Sequence, residues 1–390
     1  MVYLVLAFVT RWIISKSEKA ERTNLGAASD SVSIRGAAAI IVVTLAYCVI
    51  AGLRAPTVGT DLKVYGINMY HLARDFTFEE FRIHFSSFAP LFAILSWGAA
   101  RIAPTIQCYF FILQVPITLS AIAAIWLTGR GRRDLGVLLY GLFLFPISLN
   151  LIRQSMAIAF SLLAFSMMIN GKRKAAVMVM LLSVFSHYSA AICMLPMVLY
   201  LIQLKCGKIG RLYPYAACFL AIALALLAYP VMLPVLAAIS DYFAKYGNTG
   251  LSLGMSAVLV AGTVGLLLLT MLSPGEDPDG MSDQEIWVVG TIVNGCMMYL
   301  LSFHAMDLYR VALYLIAPIV LAPGLLWRFD GKECNVLKLL KSDFLGERVR
   351  ICLDERKRLL LFYVLIVVFY LIYFVILRQH EVVPYALAFH

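Results

Sequence analysis

Apolar runs closed by short polar or proline-containing turns recur along the chain, at 2 to 14, 36 to 53, 106 to 128, 136 to 150, 154 to 170, 214 to 238, 251 to 273, 286 to 303, 310 to 328 and 359 to 378. Further apolar material lies at 87 to 104, and a compressed pair of runs lies within 175 to 203. Most of these runs approach the roughly 20 residues that an α-helix needs to cross a bilayer. No alternating ten-residue strand pattern accompanies them, and backbone groups in lipid must be satisfied internally, so helices are the spanning structure open to this chain. The pattern predicts an all-α polytopic transmembrane bundle of about 11 to 13 membrane segments, half-helices included, built as one integral domain over 1 to 390. The first run is short, contains Arg11 and has no small-residue cleavage site before Lys16, so it reads as a retained first helix that gives way to a loop at 15 to 35.

Composition sharpens this picture. At 62% apolar and 14% charged over 390 residues, the chain has too few polar side chains to build a water-facing surface. A soluble enzyme and a nucleic-acid-binding domain are excluded. The formal charge of +10 therefore reads as the excess of Lys and Arg that marks cytoplasmic connections. Such residues gather at 15 to 35 (Lys16, Lys19, Arg22, Arg35), 129 to 134 (Arg130, Arg132, Arg133), 171 to 174 (Lys172, Arg173, Lys174) and 204 to 212 (Lys205, Lys208, Arg211), and a basic loop at 329 to 358 follows Arg328. These connections, with Arg328, hold 22 of the 32 basic residues, which is enough to set the orientation. The connection 274 to 285 is acidic instead, but acidic residues weigh little in this rule.

Parity then singles out one region. Arg54 falls outside and Arg130 inside, yet two apolar segments, 87 to 104 and 106 to 128, lie between them. With Pro90, Pro104 and Pro116 interrupting the stretch, 87 to 104 is expected to be a re-entrant or obliquely packed half-helix. Between Lys174 and Lys205 the chain must also cross and return with too few residues for two full spans, which places a turn at Ser186-His187-Tyr188.

The charges left on the outer side carry the functional reading. They include Arg54, Asp61, Lys63, Arg74, Arg82, Arg153, His187, Asp241, Lys245, His304, Asp307, Arg310, Arg378 and His380. Cations held where the positive-inside rule makes them scarce, and drawn from distant segments, suggest a site for an anionic substrate. Several have plainer explanations. Arg74 and Arg82, among Asp75, Glu79 and Glu80, fit a solvated amphipathic helix within an outer loop at 54 to 86, and Lys245 and Arg378 fit interfacial anchors. Arg153 opens an apolar helix, where its guanidinium and the helix amides would both bind phosphate oxygens. Arg54 and Asp61 occupy a Pro- and Gly-containing loop directly after a span, a favoured setting for a site. His187 reads equally as a core histidine or a functional one, and Arg310 with His304 and Asp307 equally as a local salt-bridge cluster or part of the site.

Other signatures are weak. Asp277-Pro-Asp279 resembles a metal-binding Asp-x-Asp pair but falls in the acidic cytoplasmic loop and reads as solvated. There is no phosphate-binding glycine loop, nucleophile elbow or zinc helix. Gly141, Gly262 and Gly265 read as helix-packing positions. The eight cysteines lie in spans or on the cytoplasmic side and form no disulfide framework. No internal repeat of the transporter kind is evident.

Three strings carry a resemblance: Arg54-x-x-Thr57-Val58-Gly59-Thr60-Asp61-x-x-x-Tyr65, Ile152-Arg153-Gln154-Ser-Met-Ala157 and Phe185-Ser186-His187-Tyr-Ser189-Ala190. Their order and spacing resemble the EpsG family of polysaccharide polymerases, which is similar in role to the Wzy O-antigen polymerases. Val383-Pro384-Tyr385 is compatible with the family but short. The resemblance implies a GT-C-like glycosyltransferase of the bacterial cytoplasmic membrane with its active site at the outer, periplasmic face. There it would join undecaprenyl-pyrophosphate-linked oligosaccharide repeat units, donor and acceptor alike. It implies neither a nucleotide, a metal nor another cofactor, and no nucleic acid. Membrane lipid and a Wzz-type chain-length regulator are the expected partners.

Departure of a lipid pyrophosphate develops negative charge that positioned guanidinium groups can stabilise. Arg54 and Arg153 are the candidates, with Arg310 third. The acceptor hydroxyl must lose a proton, and Asp61 or His187 could take it; the two are not ranked. Tyr65, Gln154 and His304 are candidate sugar or supporting contacts, and Trp97 offers a further ring face. Two other classes remain: another lipid-linked sugar transferase, such as a ligase, and a lipid-linked oligosaccharide flippase. A flippase should line a path through the whole membrane with charge, whereas here the unusual charges gather at one face.

Overall fold

The apolar runs become helices because unbranched and small apolar residues tolerate helical geometry and because lipid leaves no other way to satisfy their amides. The computed structural model describes residues 1–25, 33–128, 132–207, 210–239, 253–274, 281–300, 302, 308–327, 335–337, 350–351 and 355–388. Among them, six helices are long and apolar enough to cross a membrane: Ile34–Leu53, Ile106–Leu127, Ile152–Ile169, Gly210–Tyr229, Leu308–Leu326 and Glu355–Ile376. Three shorter apolar helices, Pro90–Ile102, Tyr188–Gln203 and Ser256–Met271, accompany them. The protein is an all-α polytopic membrane protein. His304, Asp307, Asp241, Lys245, Asp277, Asp279, Arg130, Lys208 and most of the basic loop 329 to 358 lie outside the described residues.

Contacts divide the chain into two units, Met1–Ala191 with Phe374–His390, and Ile192–Tyr373. In the first unit the helices are α1 Val2–Leu25, α2 Ile34–Leu53, α3 Ile67–Asp75, α4 Phe78–His84, α5 Pro90–Ile102, α6 Ile106–Leu127, α7 Arg133–Leu139, α8 Phe145–Asn150, α9 Ile152–Ile169 and α10 Arg173–Ser186. A single π-helical turn, Tyr140–Leu144, joins α7 to α8. Nearby, Gly141 permits a close approach, since a Cβ there would overlap the Tyr47 hydroxyl and Ala7.

Partner contacts fix the directions. Gly52 faces the backbone of Gln107, so the end of α2 meets the start of α6. At the opposite end of α6, Asn170 Nδ2 donates to the Leu127 carbonyl (2.9 Å) and Thr128 Oγ1 to Ser166 (2.8 Å), so α6 and α9 run parallel. Ser183 donates to the Ala157 carbonyl (2.7 Å), which sets α10 antiparallel to α9. Buried hydroxyls and amides pair between helices, Thr10 with Tyr47 (3.0 Å), Thr118 with Tyr140 (2.8 Å) and Gln114 with Ser148 (3.0 Å). Satisfied pairs of this kind join helices that gain nothing from burying apolar surface in lipid.

Two boundaries differ from the sequence reading or refine it. The expected loop at 15 to 35 is helical as far as Leu25, because the polar end of α1 finds partners: Glu18, 7% exposed, accepts from the Arg133 amide (3.2 Å), and Glu21 pairs with Arg133 (3.4 Å). Segment 87 to 104 forms α5, whose 13 residues cover roughly 20 Å, short of the roughly 30 Å hydrocarbon core.

The second unit contains α11 Met194–Gln203, α12 Tyr213–Ile239, α13 Leu253–Met271, α14 Asp283–Leu300, α15 Leu308–Ile316, α16 Ala322–Leu326 and α17 Glu355–Tyr370. It also holds a ribbon of three very short antiparallel strands, β1 Leu272–Pro274, β2 Asn335–Leu337 and β3 Arg350–Ile351. The fully buried Arg358 donates to the Leu269 and Thr270 carbonyls (2.9 and 3.1 Å) and stacks 3.8 Å over Trp327, closing the C-terminus of α13 where its dipole favours a cation.

Candidate functional site

One end of the first unit gathers most of the residues singled out in the sequence. Arg54 follows the last turn of α2, and the parallel and antiparallel directions above bring the starts of α6 and α9 to the same end. Arg153 lies in the first turn of α9, with the buried Gln154 beside it. His187 caps α10, one turn beyond the Ser183 that bonds to α9, so it lies at this end too; Ser189 Oγ is 2.6 Å from its Nδ1. Asp61 precedes a π turn, Leu62–Gly66, in which Tyr65 is half exposed.

Arg54 is the unusual member. It is 1% exposed, its guanidinium lies 4.8 Å from the Phe110 ring, and its Nε and Nη1 have no hydrogen-bond partner. The neighbouring phenols donate elsewhere, Tyr3 to the Val382 carbonyl (2.9 Å) and Tyr385 to the Ile50 carbonyl (2.7 Å). Burial pulls the guanidinium down to about 10, opposed by Tyr3 and Tyr385, and it still carries its proton at neutral pH. A buried cation costs several kcal/mol unless something repays its lost hydration. Arg153 is placed differently, 4.3 Å over Phe88, whose carbonyl accepts from Arg82. Arg82, read from sequence as solvated, thus anchors the turn that carries Phe88.

Asn150, at the end of α8, ties these segments together. A backbone amide can only donate, so the contact with the Asp61 amide (2.7 Å) fixes the side chain with Oδ1 towards the loop; Thr60 Oγ1 donates to the same oxygen (3.3 Å). Gly59 next to it adopts φ +99, and a Cβ there would lie 3.0 Å from Asn150 Oδ1, so the loop passes where a side chain would crowd it.

The structure therefore brings Arg54, Asp61, Tyr65, Arg153, Gln154 and His187 to one end of one unit. Arg310 belongs to the second unit, where its Nε lies 3.4 Å from the Tyr309 hydroxyl, and His304 lies outside the described residues. Trp97 donates to the Phe76 carbonyl (3.1 Å) and carries Arg101 at 4.8 Å from its ring. The sequence motifs single out none of Asn150, Tyr3, Phe88 and Phe110, and in the sequence His380 reads as one charge among many. Asn150 stood three positions before Arg153 in the sequence, but its partners are 89 and 230 residues away.

Fold and site together define a polytopic helical membrane protein with a buried, uncompensated cation at one end of a helix bundle. The chain belongs to the EpsG family, whose family model matches residues 38–340. Membership makes it a polysaccharide-polymerase-like membrane protein of polysaccharide biosynthesis. Neither a curated protein nor a solved structure matches the chain. Tyr3 and residues 378–388, which border Arg54, fall outside the matched span.

Proposed function

We propose that the protein is a polysaccharide polymerase that joins oligosaccharide repeat units carried on a polyprenyl pyrophosphate, at the outer face of the bacterial cytoplasmic membrane. The observation that carries this reading is the Arg54 guanidinium, buried with two nitrogens unbonded at the end of a span. A pyrophosphate head group held at a membrane surface is the ligand whose charge and acceptor oxygens match it.

In the reaction, a hydroxyl of the acceptor repeat unit attacks the anomeric carbon of the donor glycan while the bond to the lipid pyrophosphate breaks. Negative charge grows on the departing oxygens. Arg54, and Arg153 in the first turn of α9, would stabilise that charge without reorganising, which is where preorganised groups lower a barrier most. Asp61 or His187 would take the acceptor proton, both being at the same end of the unit as Arg153. Membrane lipid and a chain-length regulator of the Wzz type are the partners that this role calls for. Arg310, in the second unit, stays a third candidate for the same charge.

The test is polymerisation by the purified protein in nanodiscs, supplied with one lipid-pyrophosphate-linked repeat unit and read as a ladder on a gel, with and without EDTA. A ladder that persists in EDTA and disappears in Arg54→Ala and Arg153→Ala is expected. Failure of several repeat units to polymerise, together with passage of fluorescent lipid-linked sugar across proteoliposomes, would replace the polymerase with a flippase.

A further inference from the structure

The C-terminal segment Arg378–Ala388 crosses the outer-loop region as a strap. It forms an antiparallel bridge between Leu387 and Arg54, with the Ala55 amide donating to the Ala386 carbonyl (2.8 Å) and the Ala388 amide to the Leu53 carbonyl (3.0 Å). Further along, the Gly59 amide donates to the Glu381 carbonyl (3.1 Å), and Lys63 pairs with the Glu381 carboxylate (2.6 Å). The loop that holds Arg54 and Asp61 is thus tied to the strap at both ends. Three non-glycine residues of the strap, Arg378, His380 and Glu381, adopt φ of 50, 64 and 49. L-residues avoid this region, so their neighbours must hold them there.

His380 is central to that hold. It is 8% exposed, and its Nδ1 lies 3.1 Å from Asn150 Nδ2. With Asn150 Oδ1 turned to the Asp61 amide, Nδ2 must donate to His380, which requires a lone pair on Nδ1 and the proton of the neutral ring on Nε2. One amide side chain therefore reads two partners at once, the loop through Oδ1 and the strap through Nδ2.

We propose that His380 and Asn150 are positioning residues for the reaction: the strap, acting through the His380–Asn150–Asp61 chain of hydrogen bonds, sets the 54–61 loop so that Arg54 meets the pyrophosphate of the lipid-linked substrate. The ligand in this statement rests on the functional reading above; the hold of the strap on the loop does not. The conservative variant is His380→Asn, whose Oδ1 can occupy the place of Nδ1 and accept from Asn150, whereas His380→Ala removes the acceptor and leaves the Asn150 amide hydrogen unbonded.

Two measurements on the full-length protein in nanodiscs test it. In a background with the native cysteines replaced, Val58→Cys, at a position 3% exposed, reports loop release through labelling by a membrane-impermeant maleimide. Undecaprenyl pyrophosphate without sugar reports the site by equilibrium binding. His380→Ala is expected to speed labelling and to weaken binding by about tenfold, as small displacements of positioned groups do, and His380→Asn to restore both. Equal labelling in the parent and His380→Ala would overturn the proposal whatever the ligand does. Faster labelling with unchanged binding, while Arg54→Ala still weakens binding, would overturn it as well, because the strap would then be structural. Binding that is the same in the parent and Arg54→Ala would overturn the pyrophosphate reading instead, and the labelling of His380→Ala against His380→Asn would still decide the strap's hold on the loop.

Discussion

At one end of the first unit, Arg11 and Arg132 close on Asp134, which is 1% exposed, at 2.9 and 2.8 Å, and Arg133 reaches Glu21. At the other end, roughly 27 Å away along the helical course from Arg133 to Asn150, Arg54 is buried as deeply with Nε and Nη1 unbonded. The arginines of the first end, still 16 to 22% exposed, lie directly against carboxylates, whereas among the described residues no carboxylate pairs with the fully buried Arg54. Paired charges of the first kind hold helices in register, and breaking one leaves its partner stranded. The unpaired cation of the second kind costs stability, and in the proposed function that cost leaves a place where the pyrophosphate binds.

The comparison is broken most severely at Arg54. Arg54→Ala is expected to reduce polymerisation by about 10² to 10³-fold, the usual loss when a preorganised donor to a developing charge is removed. Its melting temperature should equal or exceed that of the parent, because an uncompensated buried charge has gone. Asp134→Asn is expected to do the reverse, lowering stability by about 3 kcal/mol through the stranding of Arg11 and Arg132 while leaving pyrophosphate binding intact. Melting curves and binding isotherms of the two variants side by side would show the crossed pattern or its absence.

Acid offers a finer cut at the same pair. Burial pushes the Asp134 carboxyl up, but the hydrogen bond and charge of Arg132, with Arg11, outweigh it and hold the group below its ordinary value. A carboxyl depressed in the folded state contributes stability above its unfolded value, and that contribution fades as pH falls from there through the folded value. Parent protein should therefore lose melting temperature below about pH 4, and Asp134→Asn should lose less over the same range.

Smaller effects sharpen the Arg54 end. Arg153→Lys keeps the charge but loses the planar fork and its stacking on Phe88, so activity is expected to fall by about tenfold, with the loss read in kcat rather than in folding yield. Gly59→Ala, forced towards φ +99 and against Asn150, should cost about 1 to 2 kcal/mol and be seen as a lowered melting temperature.

Much of this architecture was legible in the chain. The runs at 36 to 53, 106 to 128 and 154 to 170 correspond to helices Ile34–Leu53, Ile106–Leu127 and Ile152–Ile169, because a span announces itself through its own composition. The turn predicted at Ser186-His187-Tyr188 falls where α10 ends. What escaped was set by distant partners. The polar half of α1 looked like a loop because Glu18 and Glu21 find their partner, Arg133, more than a hundred residues on. Asn150 and His380 looked ordinary because nothing local reveals that one amide joins the 54–61 loop to the C-terminal strap. The motifs gave Arg54 and Arg153 as residues; that, among the described residues, no carboxylate pairs with Arg54 is a property of the packed bundle.

The most direct measurement is ligand-induced stabilisation, comparing the melting temperature of the parent protein and Arg54→Ala in nanodiscs with and without undecaprenyl pyrophosphate. If Arg54 is held unpaired for the pyrophosphate, the parent should gain stability on binding, as any ligand of the folded state provides. Arg54→Ala should start at least as stable and gain little. An equal gain in both proteins, or an Arg54→Ala variant that unfolds well below the parent, would contradict the claim and make Arg54 a structural residue.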